Sequence, residues 1–155
     1  MTSSVENENK ALVRRWFEEV WNQGRAELID ALSAPDVATT GLDEGTAEHR
    51  GVGPFRIFYD NLRTALPDLH VTVDDILAEG DKVAVRLTAI GTHKQEAMGL
   101  RATGRRVTIP AIVIVRVANG KVVQAWNSID HLGLLKQIGA LPEGAIRENL
   151  FTTRA

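Results

Sequence analysis

The hydrophobic period of this chain changes at Pro67, and that change limits what it can fold into. Before Pro67, apolar residues recur every three to four positions; after it, they recur at every second position. Leu12, Trp16 and Val20, with Val13 and Phe17 beside them, mark an amphipathic helix with an aromatic face. Ser3 and Glu6 have the spacing of a capping box at its start. Asn22-Gln23-Gly24 offers a left-handed C-cap at its end. A second short helix is expected from about Arg25 to Leu32, stopped by Ala34-Pro35. Asp36 to Arg50 shows little periodicity and reads as a short strand followed by an irregular loop. A third helix opens at Gly53-Pro54, carries Phe55, Phe58, Tyr59, Leu62 and Leu66 on its apolar face, and closes at Pro67.

Beyond Pro67 the alternation predicts strands. Leu69, Val71 and Val73 belong to the first of them. Val83, Val85, Leu87 and Ala89 follow the Glu79-Gly80-Asp81 turn, and a long strand carries Val107 through Val117 at every second residue. Asn119-Gly120 is a strong hairpin signal. The next strand runs from Lys121 to about Ile129, and a last short helix, Leu132 to Ile138, ends at Gly139. Helices segregated from antiparallel hairpins give an α+β class, with the N-terminal helices covering one face of a curved antiparallel sheet. A cone of that shape leaves room for a pocket between the layers. In the last strand Gln124, Trp126, Ser128 and Asp130 share one face, while Val123, Ala125, Asn127 and Ile129 share the other. The long strand is apolar on both faces, with Ile112 and Ile114 opposite the valines. It is therefore expected to be central and covered twice, by the helices and by a second copy of the chain. A homodimer is the expectation, with a tetramer as the variant.

Composition narrows the function classes. The 155 residues suit one domain, with a core of about 7–140, a polar N-terminal arm and a tail over 140–155. No cysteine is present, which excludes disulfides, a thiolate nucleophile and Cys-based metal centres. The 18 basic and 20 acidic residues are interspersed and sum to −2, so there is no footprint for nucleic acid. No apolar run approaches the roughly 18 residues of a membrane helix. The polar start MTSSVENENK lacks the apolar stretch of a secretory signal. A cytoplasmic, non-membrane protein is the simplest expectation. The four histidines show no pair four residues apart and give no metal motif.

Four segments together carry a family likeness. They are Asn9 to Asn22 (NKALVRRWFEEVWN), Phe58 to Leu77 (FYDNLRTALPDLHVTVDDIL), Ala78 to His93 (AEGDKVAVRLTAIGTH) and Val122 to Gly139 (VVQAWNSIDHLGLLKQIG). In order and spacing they resemble the SnoaL-like polyketide cyclases of the nuclear transport factor 2-like superfamily, over roughly residues 7 to 140. The resemblance implies a cystatin-like α+β roll. It also implies a cofactor-free enzyme, with no metal, that closes a polyketide ring by intramolecular aldol condensation on a bulky apolar or aromatic carbonyl substrate. The family's acidic residue at the end of the last strand maps onto Asp130 through Trp126-Asn127-Ser128-Ile129-Asp130, and its Gly-Thr-His motif onto Gly91-Thr92-His93. Many relatives carry an Asp/His-containing stretch after Ala34-Pro35-Asp36; here Val37-Ala38-Thr39-Thr40-Gly41 stands there, without that polar pocket residue.

The candidate residues each have two readings. Asp130, half-buried beside Trp126, would have its pKa raised by desolvation and serve as base and then acid; alternatively it caps the final helix. His93 orients Asp130, binds a substrate oxygen, or sits at the surface. His131, on a first helical turn, is expected to point elsewhere. Arg86 would need a carboxylate such as Asp130 or Glu79 if buried, or else it is solvated. Tyr59 donates to an enolate oxygen or fills the core. Trp126, Trp16 and Phe58 are candidate wall residues, and Ser128 a pocket polar group. Epoxide hydrolysis, isomerisation or hydroxylation on the same scaffold, and non-catalytic binding of a small apolar ligand, are the alternatives. The Arg-x-Asp of the limonene-epoxide-hydrolase-like route is absent, since Arg86-Leu87-Thr88 stands in its place.

Overall fold

The computed structural model of the chain describes residues 3–43, 45–97, 99–142, 144–145 and 151. Of the expected tail, positions 143, 146–150 and 152–155 lie outside the described residues. Among the described residues, four α-helices and six strands follow in the order α1 (Ser4–Arg15), α2 (Leu28–Leu32), β1 (Ser33–Thr40), β2 (His49–Arg50), α3 (Val52–Ala65), β3 (His70–Glu79), β4 (Lys82–Thr92), β5 (Arg106–Ala118), β6 (Lys121–Ile129) and α4 (His131–Gln137). A π-helical stretch, Trp16–Asn22, continues α1 without a break. The strands form one curved, unclosed sheet in the order β2-β1-β6-β5-β4-β3. This is the α+β arrangement expected, with β5 central.

Local chemistry explains the ends of the elements. Ser3 and Glu6 close the capping box, with Glu6 N–H donating to Ser3 Oγ at 3.1 Å and Ser3 N–H to Glu6 Oε2 at 2.7 Å. The second Glu6 oxygen accepts the Gly80 N–H at 2.9 Å and so ties the first helix to the β3–β4 turn. The periodicity predicts one α-helix from this cap to Asn22; the structure widens its last seven residues into π geometry. The carbonyls left at that end have tertiary partners. Tyr59 Oη donates to Val20 O at 2.8 Å and Arg63 Nη1 to Trp21 O at 2.6 Å. Asn22 clasps the backbone of Val71, accepting its N–H at 2.7 Å and donating to its carbonyl at 2.9 Å.

Two sheet features differ from the expectation. Strand β1 starts at Ser33, so Ala34-Pro35 lies inside a strand rather than simply stopping a helix. The pairing of β1 with β6 is parallel, so the sheet is mixed rather than wholly antiparallel. Strand partners far apart in sequence leave no mark on local periodicity, which is why this pairing was not legible. Close approach locks it. Asn127 Nδ2 donates to Thr40 O at 2.9 Å, and Gly41, at φ +79°, lies so near Asn127 that any Cβ would overlap its carbonyl oxygen.

The helices cover one face of the sheet, with α1 packed on β3 and β4, and α3 on β1. Val83, Val85, Leu87 and Ala89 of β4, and Val107 through Val117 of β5 at alternate positions, are all buried on this inner face. Each large aliphatic side chain among them contributes about 1.5–3 kcal/mol by leaving water. The other face exposes Ile112 at 55%, Ile114 at 40% and Trp126 at 36%. Among the described residues no helix is long and apolar enough to cross a membrane.

Asp68 pins the end of β4 to the α3–β3 connection. Its carboxylate accepts the Thr92 hydroxyl and the Thr92 N–H, each at 2.7 Å, and these bonds lower its pKa. A lowered folded pKa stabilises the protein above the ordinary carboxylate range, near ~4, and the effect fades as pH falls through the lower folded value. Asp68→Ala is therefore expected to lower Tm at pH 7, and the gap from the parent should narrow as the pH falls below about 4. Thermal melts from pH 7 into the acid range check it; a gap that widens in acid would contradict the assignment.

Candidate active site

The space between the helical layer and the inner sheet face is a cavity of about 130 Å³. Its roof is aromatic. Trp16, Phe17 and Trp21 come from the first helix and its π-helical end, and Phe55 and Phe58 from α3. These rings hold one another, with Trp16 and Phe55 centroids 5.2 Å apart and Trp21 edge-on to Phe58 at 6.2 Å. The floor is the aliphatic inner face, including Leu87, Ala89, Ile109, Ala111 and Val113. Ala125, Asn127, Ile129 and His131 close it along β6 and into α4. Among the described residues no Asp, Glu, Lys or Arg lines the cavity, and its polar side-chain atoms come from Ser33, Thr39, Asn127, His131 and the two indoles. Such a wall favours a neutral, largely apolar guest, because an unpaired charge would enter at a large desolvation cost. Among the described residues no group of three His, Asp, Glu or Cys is placed to hold a metal.

The structure brings only some of the expected site residues to this cavity. Trp16 and Phe58 line it. Tyr59 stands behind the wall, 4% exposed; its hydroxyl is spent on Val20 O, and burial pushes its pKa up. Trp126, Ser128 and Arg86 stand on the opposite, outer face of the sheet. The pairing of β5 with β6 explains the difference. Ala125, Asn127 and Ile129 sit across from Val115, Val113 and Ala111 on the inner face, which leaves Trp126 across from Ile114 and Ser128 across from Ile112 on the outer one. A register shift also breaks strict alternation near the start of β6, so Val122, not Val123, lines the cavity. Arg86 finds its carboxylates on the neighbouring strand, with Nε 2.7 Å from Asp75 Oδ2 and Nη1 3.7 Å from Asp74 Oδ2, rather than on Asp130 or Glu79.

His93 is fully buried, but in the 93–105 loop and not on the cavity wall. Its backbone pairs with Arg105 O and Gly104 N–H, each at 2.9 Å. The Thr103 N–H donates to Nδ1 at 3.3 Å, which places the ring proton of the neutral form on Nε2. Asp130 caps α4, its Oδ1 accepting the Gly133 N–H at 2.8 Å. The Asp130 side chain is exposed rather than half-buried, although Ile129 and His131 on either side of it both line the cavity. Any side chain at Gly133 would overlap the Asp130 carboxylate, so this glycine gives the carboxylate its place.

Among the polar lining residues, Thr39 and Asn127 were not singled out from the sequence, and His131, expected to point elsewhere, lines the cavity. A signal for each was present. Val37 and Thr39 alternate on β1, and Asn127, Ile129 and His131 continue the every-second-residue row that Ala125 belongs to.

The placement separates the aromatic candidates experimentally. Trp16→Ala or Phe58→Ala is expected to weaken binding of a neutral naphthyl ketone by about 10-fold, from lost ring contact. Trp126→Ala is expected to leave it within about two-fold. Fluorescence titration of the ketone decides; equal losses in all three would contradict the cavity described.

The family model for SnoaL-like polyketide cyclase matches residues 11–138. The chain is 28% identical over 137 residues to aklanonic acid methyl ester cyclase DnrD of Streptomyces peucetius, covering 86% of this chain and 94% of that one. Among solved structures, a candidate SnoaL-like polyketide cyclase from Jannaschia sp. CCS1 superposes with a TM-score of 0.81 at 25% identity, over 90% of this chain and 97% of that one. AclR, a candidate hydroxylase from Streptomyces galilaeus, superposes with a TM-score of 0.79 at 32% identity, over 88% and 84%. With its family pattern running from the first helix to the end of α4 over a roofed apolar cavity, this chain belongs to the SnoaL-like polyketide cyclase family.

Proposed function

We propose that the protein is a cofactor-free acid/base enzyme that closes a ring in a polyketide, or a similarly bulky carbonyl compound, by intramolecular aldol condensation. The observation that carries this reading is the uncharged aromatic-roofed cavity within a chain whose relatives include DnrD and DauD, both aklanonic acid methyl ester cyclases. A folded substrate held between ring walls and a curved aliphatic floor would have its two reacting carbons brought together, which offsets on the order of several kcal/mol of the barrier.

The proton bookkeeping needs one group that acts twice. A base takes the proton alpha to one carbonyl and leaves an enolate. The enolate carbon attacks the second carbonyl carbon, and the electron pair of that C=O moves to its oxygen. The alkoxide then takes the proton back, so the product is an isomer of the substrate. Asp130, the residue onto which the family's acidic residue maps, is the proposed shuttle; its exposed carboxylate lies off the cavity wall, so it would act on the end of the substrate nearest Ile129 and His131, its lining neighbours in the chain. Its bond from Gly133 N–H fixes the carboxylate's orientation and leaves lone pairs for the proton, since a carboxylate offers about four acceptor sites. The exposed outer-face patch of Ile112, Ile114 and Trp126 supports pairing with a second copy of the chain.

Asp130→Asn isolates the chemistry, because Asn caps a helix about as well as Asp but cannot take the proton. With aklanonic acid methyl ester as substrate, turnover is expected to fall at least ~100-fold while Tm stays within about 2 °C. Undiminished turnover in the variant would remove Asp130 from the mechanism. The likeness to AclR favours hydroxylation as the second reading, and oxygen uptake during product formation would establish it in place of cyclisation.

A further inference from the structure

Among the described residues, the side-chain polar atoms that are buried without a hydrogen-bond partner are Thr39 Oγ1, His93 Nε2 and His131 Nε2. The His93 atom lies off the cavity wall, whereas Thr39 and His131 both line it. A buried polar atom with no partner is costly, and folded proteins keep few of them. Two on the wall of one largely apolar cavity call for a guest that satisfies both. The remaining polar neighbour on this row is already engaged, since Asn127 Nδ2 donates to Thr40 O.

Their positions define the guest. Thr39 is paired with Ala125 in the first half of β6, and His131 follows Ile129 at the strand's far end. The strand between Ala125 and Ile129 spans roughly 13 Å. Aromatic rings cover the interval from above. This geometry takes a flat, elongated ligand with an oxygen near each end. His131 is also the one titratable side chain lining the cavity among the described residues, and it adjoins Asp130 in the chain.

We propose that His131 Nε2 and Thr39 Oγ1 are the two polar stations of the substrate site, each hydrogen-bonded to an oxygen at one end of an elongated aromatic ketone, with His131 at the reacting end beside Asp130. This rests on the cyclase reading for its chemistry, but not for its binding geometry. With its ring proton on Nε2, His131 donates to the carbonyl oxygen that receives the electron pair. The bond strengthens as that oxygen becomes an alkoxide, so His131 lowers the barrier, whereas Thr39 acts on binding alone. The sequence reading turned His131 away from the pocket; its buried Nε2 on the wall reverses that.

The test uses 6-hydroxy-2-acetylnaphthalene, an aromatic ketone with one oxygen at each end, and the full-length protein. Binding is followed by fluorescence, and the bound ketone's C=O stretch by infrared difference spectroscopy. Thr39→Val and His131→Phe are each expected to weaken binding by about 5- to 10-fold. 2-Acetylnaphthalene, which lacks one of the oxygens, should be sensitive to only one of the two substitutions. In the ligand-free protein Thr39→Val should raise Tm by ~2 °C, because it removes an unsatisfied buried hydroxyl. In the unmodified protein, the ¹⁵N resonance of His131 Nε2 should shift when the ketone is added, a readout independent of any variant's folding. With aklanonic acid methyl ester, His131→Phe should lower kcat about 100-fold and raise KM about 5- to 10-fold, whereas Thr39→Val should raise KM alone. Unchanged ketone affinity in both variants, with an unmoved Nε2 resonance, would overturn the proposal whatever the turnover. Altered affinity without turnover in the parent protein would retain the two stations and overturn the cyclase reading instead.

Discussion

The register of β6 against β5 decides which side chains meet the cavity. With Ala125, Asn127 and Ile129 across from Val115, Val113 and Ala111, the row ends on His131 inside the cavity and leaves Trp126 outside it. A slip of one residue would exchange the two faces, placing Trp126 and Ser128 within and Asn127 and His131 without. Several contacts hold the register. Asn127 grips the Thr40 carbonyl, Gly41 permits the close crossing of β1 over Asn127, and the Asp130 N–H ends the ladder on Pro110 O at 3.2 Å. The chemistry of the site is in this sense a consequence of backbone pairing.

The cavity is also shaped from above by a helix that does not stay α-helical. The seven π-helical residues Trp16–Asn22 contribute Trp16, Phe17 and Trp21 to the roof. Their terminal carbonyls are taken by Tyr59 and Arg63 of α3, and Asn22 is stitched to β3. The same side chains that satisfy this backbone therefore fix the spacing between roof and floor. Tyr59 shows the economy of the arrangement, since its hydroxyl serves the helix end and its ring packs on Trp21 at 4.8 Å. Wide helical turns often occur at functional sites, and here the turn forms part of the wall.

Polar atoms are scarce in this cavity, and their scarcity gives them meaning. An apolar wall strengthens any hydrogen bond made against it and penalises any that is missing. Charge is kept outside. Arg86 is paired with Asp75 on the outer face, and Asp130 stands between two lining residues with its own side chain exposed. A neutral guest with few oxygens suits such an interior, and a charged one does not.

Much of the architecture was legible because helices and strands impose different periods. The capping box at Ser3, the closure of α3 near Pro67, the centrality of β5 and the hairpin at Asn119-Gly120 each follow from local spacing. The site was legible only in part. Trp16 and Phe58 sit on helical faces whose direction is set by the helical repeat, and both reach the cavity. Trp126, Ser128 and Arg86 sit on strands, where alternation separates two faces but does not say which one is inside. The amino-acid order by itself determined the elements, their sequence and the pairs of residues that share a face. The tertiary structure alone decided which face is interior, that β1 joins β6 in parallel, and that His131 rather than Trp126 lines the cavity, because hydrogen-bond register between distant strands is set by packing that no local window of sequence contains.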